Sequence, residues 1–144
     1  MAGGRTHISM TVEAATDPAV GFLPEDARIV ADANAATDLL FRGWRNRYRH
    51  ENTGWPWREP SQLVAAEAEL ADALEQGSLI LLGRGLHSVQ DFYVHGGRFR
   101  SYLHPPREPT SERRPERFAD ALAASKEYLR RYREAGGRDD ARKP

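Results

Sequence analysis

The sequence contains no cysteine. No disulfide staples the fold, and any metal site must be built from imidazole and carboxylate rather than thiolate. The redox compartment is left open. Net charge is also lacking: 21 Lys and Arg balance 21 Asp and Glu. That balance removes a broad electrostatic case for duplex DNA or an anionic membrane surface, while leaving room for a local basic patch. No apolar run approaches the roughly 18 residues of a membrane span, so stable membrane insertion is not expected. The opening MAGGRTHISM lacks the apolar core of a secretory signal, so the chain as encoded is expected to be cytoplasmic or to leave by a non-classical route. There is no internal repeat and no long low-complexity stretch. At 144 residues, one domain with a real core is expected, over residues 1–137, with residues 138–144 as a disordered tail.

What is present is helical period, with a few ligand-type residues set into it. Residues 79–95, LILLGRGLHSVQDFYVH, read as one helix carrying His87, Asp91 and His95 at intervals of four. Each four-residue step turns about 40° and rises about 6 Å, so the three side chains form a shallow row. Imidazoles and carboxylates at i and i+4 are a known way to hold zinc from one helix. Leu82, Leu86, Val89 and Tyr93 make an ordinary core stripe on the opposite side. The plain alternative is a solvated polar face. The apolar neighbours Ile80, Leu81, Phe92 and Val94 leave little polar surface, and burying Asp91 without a partner would cost several kcal/mol.

Four further helical segments surround this one in the chain. Thr6 serves as an N-cap for a short helix over 7–15 that carries His7 in its first turn. Asp17-Pro18 and Gly21 mark a loop. Pro24, Glu25 and Asp26 suit a helix start, and the period runs toward His50. Its apolar stripe is Ile29, Ala33, Ala36 and Leu40, with Asn34 and Asp38 four apart on the polar side. Residues 42–50, RGWRNRYRH, form the one concentrated basic patch. It is either a phosphate- and base-binding surface or a helix end whose arginines favour the C-terminal dipole. Residues 51–60 form a loop in which Trp55 and Trp57 cap the core or wall a pocket. Ser61 opens a helix over 61–76, with Leu63, Ala66, Leu70, Ala73 and Leu74 on one face, and Gly77 breaks or kinks it. Gly83 and Gly85 within the central helix imply close approach of another backbone. Arg84 lies on the same side as the His/Asp/His row and would meet a substrate phosphate or pair with a carboxylate. After Gly96-Gly97 a proline-rich loop holds His104 and Glu108, which would reach a metal through loop geometry. A final amphipathic helix over 116–134, with Phe118, Ala121, Leu122, Ser125, Leu129 and Tyr132 inward, supplies packing and no ligand.

The order Thr6-His7, Asn34-x3-Asp38, His50, then Leu86-His87-x2-Gln90-Asp91-x3-His95-Gly96 resembles the zinc-dependent phospholipase C superfamily. That superfamily also holds the single-strand-specific nucleases. The match is nearest its heterokaryon-incompatibility C branch and related bacterial toxin domains. The resemblance implies a compact all-α fold with two or three zinc ions. Asp38, His50, His87 and Asp91 would share one metal, Asp91 bridging to a second served by His7. His95, His104 and Glu108 would hold the third.

The expected activity is that of a zinc-dependent phosphodiesterase. Two close metals would lower the pKa of a bridging water and clamp the phosphoryl oxygens. Asp38 would orient that water or accept its proton, and Arg84 or an arginine between 42 and 49 would hold the non-bridging oxygens. Substrates of either class, phospholipid or single-stranded nucleic acid, suit the reading; the neutral net charge tilts it toward phospholipid. The rival is a non-catalytic zinc-binding domain, which predicts closed tetrahedral coordination where the hydrolase predicts an open position.

Overall fold

The structure is a computed structural model that describes residues 4–40, 61–95 and 114–137. It is all-helical over these residues. The five elements are α1 (Gly4–Thr16), α2 (Pro24–Leu40), α3 (Ser61–Gln76), α4 (Leu79–Val94) and α5 (Pro115–Glu134). None of these helices is long and apolar enough to cross a membrane.

Helix ends follow local chemistry. Thr6 is not the cap of α1: the helix starts at Gly4 and runs on to Thr16, so His7 stands in the first turn but behind an earlier start. The α1–α2 loop is knotted around Asp17. Its carbonyl accepts from the N–H groups of Val20 and Gly21, and its carboxylate accepts from the Ala19 N–H at 2.8 Å. That backbone donor, together with Lys126 at 3.0 Å, holds the Asp17 carboxyl below its ordinary pKa. Pro24, Glu25 and Asp26 then open α2 as expected, proline where an N–H has no partner and carboxylates at the positive end of the dipole. Between α3 and α4 the chain turns in two residues. Gly77 takes φ +61°, the Ser78 N–H bonds back to the Ala73 carbonyl, and the Ser78 hydroxyl caps α4 by accepting from the Leu81 N–H. α5 ends in the same glycine-based motif, the Gly137 N–H reaching the Tyr132 carbonyl at 2.8 Å.

α4 is the axis of the fold. It packs on α2, α3 and α5, and α1 closes the cycle by packing on α2 and α5. Leu82, Leu86 and Val89 are buried in the main core with Val20, Phe22, Val30, Leu70, Leu129 and Tyr132, and Tyr93 packs at its edge. A smaller cluster of Met10, Val94 and Ala121 lies at the far end of α4, with Phe118 and Leu122 against it. Gly83 is where α2 touches α4: a Cβ there would lie 2.5 Å from the Val30 carbonyl oxygen and 3.0 Å from the Asn34 nitrogen. This is the close backbone approach expected of that glycine. Gly85 differs, because what it admits is the Tyr128 side chain, whose hydroxyl donates to the Ala66 carbonyl at 2.6 Å and ties α5 to α3.

The buried face of α2 is not the expected one. Ala27, Val30, Ala31, Asn34 and Thr37 are buried, whereas Ile29, Ala33 and Ala36 are half-buried. Asn34 therefore lies inside the bundle rather than on a polar flank. A pattern reading assigns an amide to water by default, and here the interior supplies partners for it.

Candidate metal centre

α4 contributes His87, Gln90 and Asp91 at i, i+3 and i+4, which puts all three on the side turned toward α1 and α2. His7 and Thr11, one turn apart on α1, face them, and Asn34 enters from α2 and Ser125 from α5. Each of these seven side chains is buried, none more than 1% exposed. The expected row of ligand types thus lies in the interior, not on a solvated face.

The Asp91 carboxylate stands between two imidazoles. Its Oδ1 lies 3.4 Å from Nε2 of His7, and its Oδ2 lies 3.3 Å from Nε2 of His87. The rings themselves are 4.4 Å apart at their centroids, tilted by 31°. On the other edge of each ring, Nδ1 faces an amide oxygen: Gln90 Oε1 at 2.7 Å from His7, and Asn34 Oδ1 at 3.1 Å from His87. The Nε2 of His7 has no hydrogen-bond partner among the described residues. The contacts to Asp91 are longer than a good charge-assisted N–H···O bond of about 2.7–2.9 Å. Nitrogen and oxygen atoms at that separation could both ligate a cation placed between them, at metal–ligand bonds of about 2.0–2.1 Å.

His7, His87 and Asp91 meet the geometric condition for a shared cation, each offering a donor atom within 4.8 Å of the others'. The chemistry of the set agrees. Two imidazole nitrogens and one carboxylate oxygen suit zinc, and they equally suit iron(II) in two-histidine, one-carboxylate sites. The oxygens that engage the two Nδ1 atoms are the outer layer that orients metal-ligating histidines.

The remaining expected ligands fall as follows. His95 caps the C-terminus of α4, its N–H bonded to the Asp91 carbonyl at 3.0 Å. It is buried and lies outside the three-residue cluster. Arg84 is half-buried on α4, seven residues before Asp91 and so on the same side, about 10 Å along the axis. Asp38 stands in α2 one turn beyond Asn34, and its side chain lies outside the described residues. His50, His104 and Glu108, the basic segment 42–50, Trp55, Trp57 and the tail 138–144 also lie outside them.

Sequence reasoning missed Thr11 and the inner roles of Gln90 and Ser125. Each had a signal. Thr11 follows His7 by four, Gln90 sits beside two ligand types in an otherwise apolar helix, and Ser125 interrupts an apolar stripe.

No protein-family model matches this chain, and neither a curated protein nor a solved structure matches it.

Proposed function

We propose that this chain is a metal-dependent hydrolase of phosphodiesters in which His7, His87 and Asp91 hold a divalent transition metal, the donor set suiting zinc and iron(II) alike and the resemblance implying zinc. The observation that carries the metal is the pair of imidazole Nε2 atoms set against the two oxygens of one buried carboxylate, at 3.3 and 3.4 Å. A dry carboxylate costs several kcal/mol, and a cation coordinated by all three groups offsets that cost. Support for phosphodiester as the substrate comes from the ordered resemblance to the zinc-dependent phospholipases C and nucleases. In that reading His50 and Asp38 would join His87 and Asp91 as ligands. When bound, such a metal supplies Lewis acidity toward water and a phosphoryl oxygen. The protein's own contribution is to orient the ligands and exclude bulk water, with Arg84 supplying charge for a non-bridging oxygen.

A second reading, a purely structural metal, is favoured by one observation: His7, His87 and Asp91 are each no more than 1% exposed. It is closed tetrahedral coordination that structural zinc adopts.

Turnover of bis-p-nitrophenyl phosphate by chelated protein, before and after zinc is restored, separates the two. Zinc-dependent hydrolysis that Asp91→Ala abolishes supports the enzyme. Stoichiometric zinc without turnover, on this probe and on both liposomes and single-stranded DNA, supports the structural metal. Liposome turnover against DNA cleavage decides the substrate class, and elemental analysis decides between zinc and iron.

A further inference from the structure

The ligands of the candidate centre are set in place by a chain of hydrogen bonds whose direction can be read from one end. Ser125 Oγ lies 2.7 Å from the Ala121 carbonyl, which can only accept, so the hydroxyl spends its one proton there. Toward Gln90, at 3.1 Å, Ser125 must then accept, and the Gln90 atom facing it must be the amide nitrogen. The same nitrogen donates to Thr11 Oγ1 at 3.1 Å. Gln90 Oε1 is thereby turned the other way, toward His7 Nδ1 at 2.7 Å and Asn34 at 2.9 Å. Asn34 must meet that oxygen with its own amide nitrogen, which also donates to Thr11 at 3.1 Å. Asn34 Oδ1 is left facing His87 Nδ1 at 3.1 Å. Both imidazoles thus face an obligate acceptor at Nδ1. Each carries a proton there, which leaves Nε2, the nitrogen facing Asp91, as the atom a metal would take.

Given the metal reading above, on which this rests, we infer that Ser125, Gln90 and Asn34 form a positioning relay. It locks His7 and His87 in the Nδ1–H tautomer and so sets the centre's affinity for its metal. Ser125 touches neither imidazole, yet it is the residue from which the polarity of both is set. The relay draws on α1, α2, α4 and α5, and all of its members are buried, so water is not at hand to substitute for a lost partner. Outer partners of metal-bound histidines characteristically contribute about 10–100-fold to affinity.

The test measures zinc affinity of the full chain by competition with a chromophoric chelator, alongside imidazole nitrogen NMR of the zinc-loaded protein. In the wild type, His7 and His87 are expected to show protonated Nδ1 and metal-bound Nε2. Ser125→Ala should weaken zinc about tenfold, and Gln90→Met by about 10–100-fold. Gln90→Glu retains an acceptor for His7 and Asn34 and should stay within about threefold of wild type. If Gln90→Met does not fold, Ser125→Ala and the wild-type spectrum still decide. Variants that lose thermal stability but bind zinc within twofold of wild type would overturn the relay and leave the metal site standing. So would a wild-type spectrum with Nδ1 bound to the metal. A wild type that takes up no zinc would overturn the metal reading itself, and the relay with it.

Discussion

Two polar assemblies on this fold use similar groups to opposite effect. On the outer face of α5, Arg130 pairs with Glu127 and Glu134, and Arg131 forks onto Glu67 of α3 through bonds of 2.6 and 2.8 Å. In the interior, Asp91 stands between His7 and His87. The surface groups are two-fifths or more exposed, so water and salt screen them and each pair contributes little. The inner groups have no such screen. Their orientation is dictated by amides and hydroxyls that are themselves buried. The difference teaches where to look for chemistry: short ion pairs on a helix face are cheap, whereas a carboxylate set against two oriented imidazoles in a dry interior requires a reason.

The largest effect that would break this contrast is at Asp91. Asp91→Asn keeps the shape but removes the charge, and its amide can donate to an imidazole Nε2. In the presence of chelator, the variant's midpoint of thermal unfolding is expected to equal or exceed that of wild type. With zinc at about a thousandfold excess over its dissociation constant, wild type should gain about 4 kcal/mol and the variant almost nothing. Opposite signs in the two conditions identify a residue kept for a ligand rather than for stability.

Next comes Gly83, which seats α2 against the site. A Cβ there meets the Val30 carbonyl oxygen and the Asn34 nitrogen, backbone atoms that cannot swing aside. Gly83→Ala should cost about 2–3 kcal/mol in urea unfolding, and by displacing Asn34 it should weaken zinc as well. Tyr128→Phe removes one buried hydrogen bond to the Ala66 carbonyl. It should cost about 1–2 kcal/mol while leaving zinc affinity unchanged, since the bond joins α5 to α3 away from the ligands.

The smallest effect belongs to the surface. The Arg131 guanidinium hydrogen-bonded to Glu67 holds that carboxyl below its ordinary pKa. A carboxyl lowered on folding stabilises the protein above its unfolded pKa, and the gain disappears as pH falls through the folded value. Glu67→Gln should therefore lower stability by no more than about 0.5 kcal/mol at neutral pH. It should flatten the acid limb of the stability curve and lose its effect in high salt.

Much of the scaffold was legible because single residues decide helix ends. Pro24 and Gly77 punctuate the helices where the sequence reading expects a start and a break. The four-residue spacing of His87 and Asp91 was legible too, and so was the close approach at Gly83. The convergence on Asp91 was not readable from spacing: His7 reaches a helix some eighty residues away in the chain, and it entered the expected ligand set only through the resemblance. Periodicity puts Asn34 on the wrong side of α2 because it ranks an amide as polar and cannot foresee three buried partners for it. Ser125 reads as packing because its role lies in the direction of a proton, which no hydrophobic pattern records.

The claim that His7, His87 and Asp91 are metal ligands is tested most directly by calorimetric titration of chelator-stripped protein with zinc, wild type beside His7→Ala and Asp91→Asn. The account predicts stoichiometric uptake by wild type and the loss of at least one zinc per chain in each variant, with helical content unchanged. Equal uptake by all three proteins, or none by wild type, would contradict it.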